Sequence, residues 1–326
     1  MTPLEGAAPA APGRSPAPPE LSVVVPLHDE AGNVRALHSG ICAALAPLRR
    51  PFEVLLVDDG SADGTGAIVD ELAARDARVV PVHLDGNYGE AAALSAGFHL
   101  ARGPVILTLD GDLQNDPADL PRLLLCLEAG GYRVVSGWRR ARVEAVWRAL
   151  PSRLANRLIA VVTGLPVRDT GCGLKAYRRE VVREVSLPPG FHRYIPAVFG
   201  VRAGEFAEVE VLERPRRAGC SHYGLRRVLA VLRDLPAVPL VRADGRRGVA
   251  RLRDGEAVAV AALASGLLAG GRRGRRVAGV ALAALAAALA VEWNLERWRR
   301  VQRLRPYRIR AAGGAGREPA GRVAGS

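Results

Sequence analysis

Lysine is almost missing from this chain: Lys175 is the only one, so 45 of the 46 basic residues are arginine. The formal charge of +13 points toward anionic partners such as nucleic acid, phosphate groups or an acidic membrane surface. Yet the arginine usage, with its wealth of alanine and glycine, reads as a codon bias that spreads positive charge everywhere. Only arginines beside other signals therefore carry weight. Cysteine is sparse too. Cys42, Cys126, Cys172 and Cys220 are widely spaced and form no CxxC pair, which excludes a disulfide framework and a zinc site. The first twenty residues lack an apolar core segment and are rich in proline and alanine. They read as a disordered tail over 1–20 rather than a signal peptide, with the first folded domain in a reducing cytoplasm. No GxxxxGK[ST] loop occurs, and no GxGxxG follows the first strand, so P-loop phosphoryl transfer and dinucleotide redox chemistry lose ground. No helix-turn-helix or RNA-binding signature accompanies the charge, which argues against nucleic acid as a partner.

What is present is an alternation. Apolar runs rich in branched residues lie at Leu21–Leu27, Glu53–Val57, Val79–His83 and Pro104–Leu109, with a fifth at Arg133–Gly137. Between them, Val34, Leu37, Ile41 and Leu45 repeat at helical spacing. Gly64–Ala74, Glu90–Ala101 and Leu120–Leu127 also read as helices. Continuous apolar strands separated by helices predict a doubly wound, mostly parallel α/β domain over 21–235. In such sheets ligands bind beyond the carboxyl ends of the strands. Three of those ends are acidic: His28-Asp29-Glu30, Asp58-Asp59 and the stretch LTLDGDLQNDP. Three acidic loops on one rim repel one another unless a cation or a donor-rich ligand joins them.

The Asp110-Gly111 pair is also a turn signal. A hairpin needs a second strand after it, and here Asp116-Pro117 reads as a helix N-cap with proline at the first helical position. Asp110, Asp112 and Gln114 alternate, so on an extended segment their side chains share one side. Three hard oxygen donors suit Mg²⁺ or Mn²⁺ with positions left open for phosphate oxygens and water. A metal-bound nucleotide diphosphate fits this set; a solvated turn is the plainer alternative.

The segments VVVPLHDEAGNV, VDDGSADGT, DGDLQNDP, VSGWR and DTGCGLKAYRRE, in this order, resemble family 2 glycosyltransferases of the GT-A (Rossmann-like) fold. The resemblance is narrowest to the polyprenyl-phosphate sugar transferases, the group that includes dolichyl-phosphate mannose synthase, and covers about residues 21–232. It implies a divalent metal on Asp110, Asp112 and Gln114. It also implies a nucleotide pocket lined by Pro26, His28, Glu30, Asp58, Asp59 and Asp110, and catalytic roles for Asp110, Asp112, Asp169 and Arg139. Residues matching Arg139, Arg148, Ser152 and Arg216 bind sugar and phosphate groups in that family. Arg148 and Ser152 lie four apart on one helix face, and Arg216 precedes Ser221 in RPRRAGCSHYG. These clusters are either a solvated basic face or a cradle for an acceptor phosphate. The sequence departs from the family at His222, where lysine is frequent, and at Glu90, where a basic or amide residue is common. The implied reaction is inverting attack on a nucleotide sugar by a polyprenyl phosphate. A hydroxyl acceptor in envelope polysaccharide synthesis and a catalytically silent scaffold stand as alternatives. The QxxRW motif of processive synthases is absent.

Beyond the catalytic domain the composition shifts. GLRRVLAVLRD alternates apolar residues and arginine like an interfacial helix, and 236–256 is a basic linker. Two apolar segments, 257–270 and 277–291, are each short of the roughly 20 residues that span a bilayer. They read as an apolar helical hairpin over 257–293, either membrane-inserted or buried, with Arg272, Arg273, Arg275 and Arg276 between the two arms. The outer flanks carry more arginine, which places them at the cytoplasmic face. Residues 294–326 read as a basic, partly disordered tail. The expected partners are the sugar nucleotide, polyprenyl phosphate and membrane lipids, and a homo-oligomer is compatible with all of this.

Overall fold

The computed structural model describes residues 18–139, 156–157, 159–184, 186–213, 234–235, 238, 271–304 and 307–312. β1 (Leu21–Leu27) is buried at every position but Pro26, and β2 (Phe52–Asp58) at all seven. Strands buried on both faces need cover on both, and successive side chains go to opposite sides. Val23 and Val25 of β1 join one hydrophobic cluster with Leu37 and Ile41 of α1 (Val34–Leu45). That cluster also takes Val69 of α2 (Thr65–Arg75) and Leu123 of α4 (Leu120–Ala129). Val24 faces the other way, into a cluster with Phe98 and the alanines of α3 (Glu90–Leu100).

β1 lies parallel to β2 and to β4 (Val105–Thr108), and β2 lies parallel to β3 (Val79–Leu84). The doubly wound α/β core expected from the alternation is thus present. Two departures shape the site. β6 (Lys175–Arg178) inserts antiparallel between β4 and β5 (Val134–Arg139), so consecutive strands β4 and β5 are not neighbours. β7 (Phe206–Val211) then pairs parallel with β5. With β8 (Ile309–Ala312) the order is β7-β5-β6-β4-β1-β2-β3-β8.

β8 lies in the stretch that composition assigns to a partly disordered tail. It pairs antiparallel with β3, Val82 opposite Ala312 and Leu84 opposite Ile309. Tyr307 just before it is buried and hydrogen bonds His99 Nδ1 at 2.5 Å. An uncovered β3 edge would present unpaired backbone groups to solvent, and β8 takes that edge.

The second arm of the expected apolar hairpin is longer than its apolar run. One helix, α5, runs from Gly271 to Arg303, straight through the arginines expected to separate two arms. Arginine is a good helix former, and each interior glycine, Gly274 and Gly279, costs only about 1 kcal/mol. Residues 257–270, the first arm, lie outside the described residues, as does the linker but for Val238. The stretch Arg275–Arg303 is long and apolar enough to cross a membrane by length and composition, and most of it is not buried. Its carboxyl end is bound to the catalytic domain. Gln302 exchanges hydrogen bonds with the Ser186 backbone, Arg297 donates to Pro189 O at 2.9 Å, and the Trp298 ring lies 6.0 Å from Phe191.

A second polar cluster lies between α1 and α2. His38, Cys42 and Asp76 gather within ligand distance of one another. Arg78 already supplies the cation there, donating to Asp76 at 2.8 Å and to the Cys42 sulfur at 3.4 Å, and it holds the Asp76 carboxyl down at about 2.

Candidate active site

Immediately after β4 the chain turns. Leu109 is fully buried, Gly111 and Asp112 form a turn, and Leu113 adopts a left-handed φ of 60°. The alternation of Asp110, Asp112 and Gln114 therefore does not lie on an extended strand. The turn brings the three side chains to one cleft by another route. Gln114 N donates to Asp112 Oδ1 at 3.1 Å and Asn115 Nδ2 to Asp110 Oδ2 at 3.3 Å. Downstream, Asp116 Oδ1 accepts from Ala118 N at 3.1 Å with Pro117 next in line, so the expected N-cap forms.

Asp110 is the electrostatic centre. Burial pushes its carboxyl up to about 7, helped by Glu90 and then Asp112 and opposed by Lys175 and Arg139. A carboxylate so disfavoured as a lone anion gains most from a cation beside it. Gly173 faces it: a Cβ there would overlap the whole Asp110 carboxylate. Crowding of this kind costs about 1–3 kcal/mol if the carboxylate must move. Gly173→Ala is thus expected to weaken Mn²⁺ binding roughly tenfold in a calorimetric titration. Unchanged affinity would show that Asp110 has room to swing aside without losing a ligand role.

The cleft, about 240 Å³, is open to solvent. Pro26, His28 and Glu30 reach it from the end of β1, as the rim argument expects. His28 is oriented by Asp59 O at 3.0 Å and Asn87 Nδ2 at 2.9 Å, and Glu30 Oε2 accepts from Asn33 at 2.6 Å. Asp58 and Asp59 are not among the lining residues. Burial works to raise Asp58, but His83 at 3.3 Å and Ser61 N at 3.0 Å outweigh it and hold the carboxyl below its usual range. Asp59, raised by burial, accepts from Tyr88 N at 2.8 Å and Gly89 N at 2.7 Å, which fixes the entry into α3.

Arg139 at the end of β5 also lines the cleft, with its guanidinium locked. Its Nε donates to Asp169 Oδ2 at 2.7 Å, Nη2 to Asp169 Oδ1 at 3.2 Å and Nη1 to Glu213 Oε1 at 2.9 Å. Burial works against the cation, but Asp169 and then Glu213 raise its pKa further, so it stays charged. Asp169 is buried and also accepts from Gly171 N at 3.1 Å. Its carboxylate aims Arg139; it does not line the cleft. Arg148, Ser152, Arg216 and Ser221 lie outside the described residues.

Three lining residues escape the sequence reading. Lys175, noted there only as the lone lysine, is buried and donates its ammonium to Cys172 O. The lone lysine of an arginine-rich chain was a signal that composition offered. Glu90 stands out only as a departure from the family pattern. His192, on the turn Phe191–Tyr194, belongs to no motif, and its Nε2 lies 3.5 Å from Glu90 Oε2.

A profile described as Glycosyl transferase family 2 matches residues 22–186. Dodecaprenyl-phosphate galacturonate synthase of Rhizobium johnstonii is 40% identical over 223 residues, 67% of this chain and 66% of that protein. Undecaprenyl-phosphate 4-deoxy-4-formamido-L-arabinose transferase of Pseudomonas aeruginosa is 40% identical over 216 residues, 66% of this chain and 63% of that one. The match thus spans just under two thirds of these relatives' own length. Glucosyl-3-phosphoglycerate synthase of Mycobacterium tuberculosis, crystallised with Mn²⁺, uridine diphosphate and phosphoglyceric acid, superposes with a TM-score of 0.53 at 22% identity. That superposition covers 72% of this chain and 84% of the other, and it shows the shared GT-A-like fold. The acidic turn, the fold around it and these matches agree: the chain belongs to glycosyl transferase family 2.

Proposed function

We propose that this protein transfers a sugar from a nucleoside diphosphate sugar to a polyprenyl phosphate at the cytoplasmic face of a membrane. The observation that carries the reading is one cleft lined by both the Asp110–Gln114 turn and the fixed cations Arg139 and Lys175. The names of the two 40%-identical relatives, both polyprenyl-phosphate sugar transferases, support the acceptor class. The long apolar α5, bound to the catalytic domain at its carboxyl end, supports the membrane setting.

A divalent cation fits the residues present. Asp110, Asp112 and Gln114 offer hard oxygens on one cleft wall, and the Asp110 carboxyl is raised for want of positive charge. Those three would hold it, and when bound it neutralises charge building on the departing diphosphate. The chain's own residues do the rest. Pro26, His28 and Glu30 position the nucleotide end. Arg139, clamped by Asp169 and Glu213, and Lys175 present fixed positive charge to phosphate oxygens, the preorganisation that favours charge development. A phosphate monoester has its second pKa near ~6, so the acceptor is already a nucleophile at neutral pH and needs no general base. Its oxygen bonds to the anomeric carbon as the bond from that carbon to the diphosphate oxygen breaks. The configuration inverts and the nucleoside diphosphate leaves.

Membranes carrying the protein, Mn²⁺ and undecaprenyl phosphate, incubated with radiolabelled nucleotide sugars, are expected to move label into the lipid phase. Label appearing only in water-soluble glycan would assign a hydroxyl acceptor instead.

A further inference from the structure

The cleft has a third wall that neither the acidic turn nor the arginine clamp explains. Glu90 opens α3, its backbone entry held by Asp59 through Tyr88 N and Gly89 N. His192 projects from the turn Phe191–Tyr194, where Phe191 packs edge-on against Tyr194 at 5.8 Å and lies beside Trp298. The two side chains meet at 3.5 Å, and both line the cleft with Asp110. Each is braced from behind, and Glu90 keeps 44% of its side chain exposed.

The charge around them is one-sided. Glu30, Glu90, Asp110 and Asp112 face Arg139 and Lys175. Arg139 is committed to Asp169 and Glu213, while a divalent cation and a donor diphosphate offset each other. Glu90 is the lining carboxylate that belongs neither to the acidic turn nor to the β1 rim.

We infer that Glu90 and His192 read the donor sugar, accepting hydroxyl or amine groups and rejecting a sugar that carries a carboxylate. This rests on the reading of the cleft as a nucleotide-sugar site. A carboxylate accepts from hydroxyls and ammonium groups, and an imidazole both donates and accepts. A second carboxylate brought beside Glu90 meets like charge in a partly buried cleft, which is selection by repulsion. The substrate class is then a neutral or amino sugar, not a uronate.

Matched donors that differ only at C6 test this. Full-length protein with Mn²⁺ is titrated with UDP-glucose against UDP-glucuronate, and with GDP-mannose against GDP-mannuronate, alongside UDP and GDP alone. The wild type is expected to bind the uronate member roughly tenfold more weakly or worse. Glu90→Gln should bring the pair within about threefold, Glu90→Lys should reverse the preference, and Glu90→Asp should retain it. Binding of the bare nucleotide reports that each variant is folded, and the ratio between the two members of each pair is read against it. Equal affinity for both members in the wild type, or a ratio unmoved by Glu90→Gln, overturns the inference while leaving the nucleotide-sugar reading in place. A protein that binds neither UDP nor GDP overturns that reading, and this inference with it.

Discussion

Asp112→Asn is expected to abolish most metal-dependent transfer while leaving the fold intact. Asparagine is the same size, and its carbonyl oxygen can still accept from Gln114 N, the 3.1 Å bond that closes the turn around Leu113. The substitution therefore removes a charge and little else. Mn²⁺ affinity should fall about 10–100-fold, the range seen when a metal site loses a well-placed anionic partner. The transfer rate should fall roughly 10²–10³-fold, as when one stabiliser of developing charge is lost. Titration calorimetry and the lipid-phase assay read the two effects, and a thermal scan should show little change. Unaltered Mn²⁺ affinity would sink the assignment of the turn as the metal site. Asp110→Asn should behave differently. The same loss of activity should come with a more stable protein, because the half-buried carboxyl already held up at about 7 is relieved of Glu90 and Asp112.

That contrast shows how far the sequence reaches. The strands, helices and acidic rim were legible because they rest on local rules: buried β-branched runs, helical spacing and an Asp-Pro cap. Asp110, Asp112 and Gln114 could be grouped in advance, although the stated route, an extended strand, gave way to a turn with a left-handed Leu113. Pairing partners across the fold were not legible. Nothing local to KAYR says that β6 enters between β4 and β5, yet that insertion carries Lys175 into the cleft wall. Nor does the DD pair reveal that its carboxylates are taken by His83 and by the Tyr88 and Gly89 amides. Composition misleads at the carboxyl end for a related reason. An arginine-rich stretch looks solvated until one asks which open sheet edge it can cover, and β8 covers that of β3. His192 was beyond reach, since only the packing of Phe191 and Trp298 brings it to Glu90.

Arg139→Met is expected to unfold the catalytic domain more readily than any other change to the cleft. The guanidinium is buried between two carboxylates, Asp169 and Glu213, and Glu213 Oε2 has no hydrogen-bond partner among the described residues. Removing the cation strands two buried anions, a loss of about 3–5 kcal/mol. In a domain of this size that lowers the melting temperature by about 10 °C or more. Asp169→Asn should cost less, because Arg139 keeps Glu213 and an amide oxygen can still accept from Nε. The informative comparison is the apolar replacement of the whole triad. Arg139→Met with Asp169→Leu and Glu213→Leu removes the charges together and should recover much of the stability lost in Arg139→Met. It should recover none of the transfer activity, because the fixed positive charge facing the cleft is gone. If activity returned with stability, Arg139 would be a strut and nothing more. If Asp169→Asn lowered the rate as severely as Arg139→Met, Asp169 would be acting on the substrate directly and not through the arginine it aims.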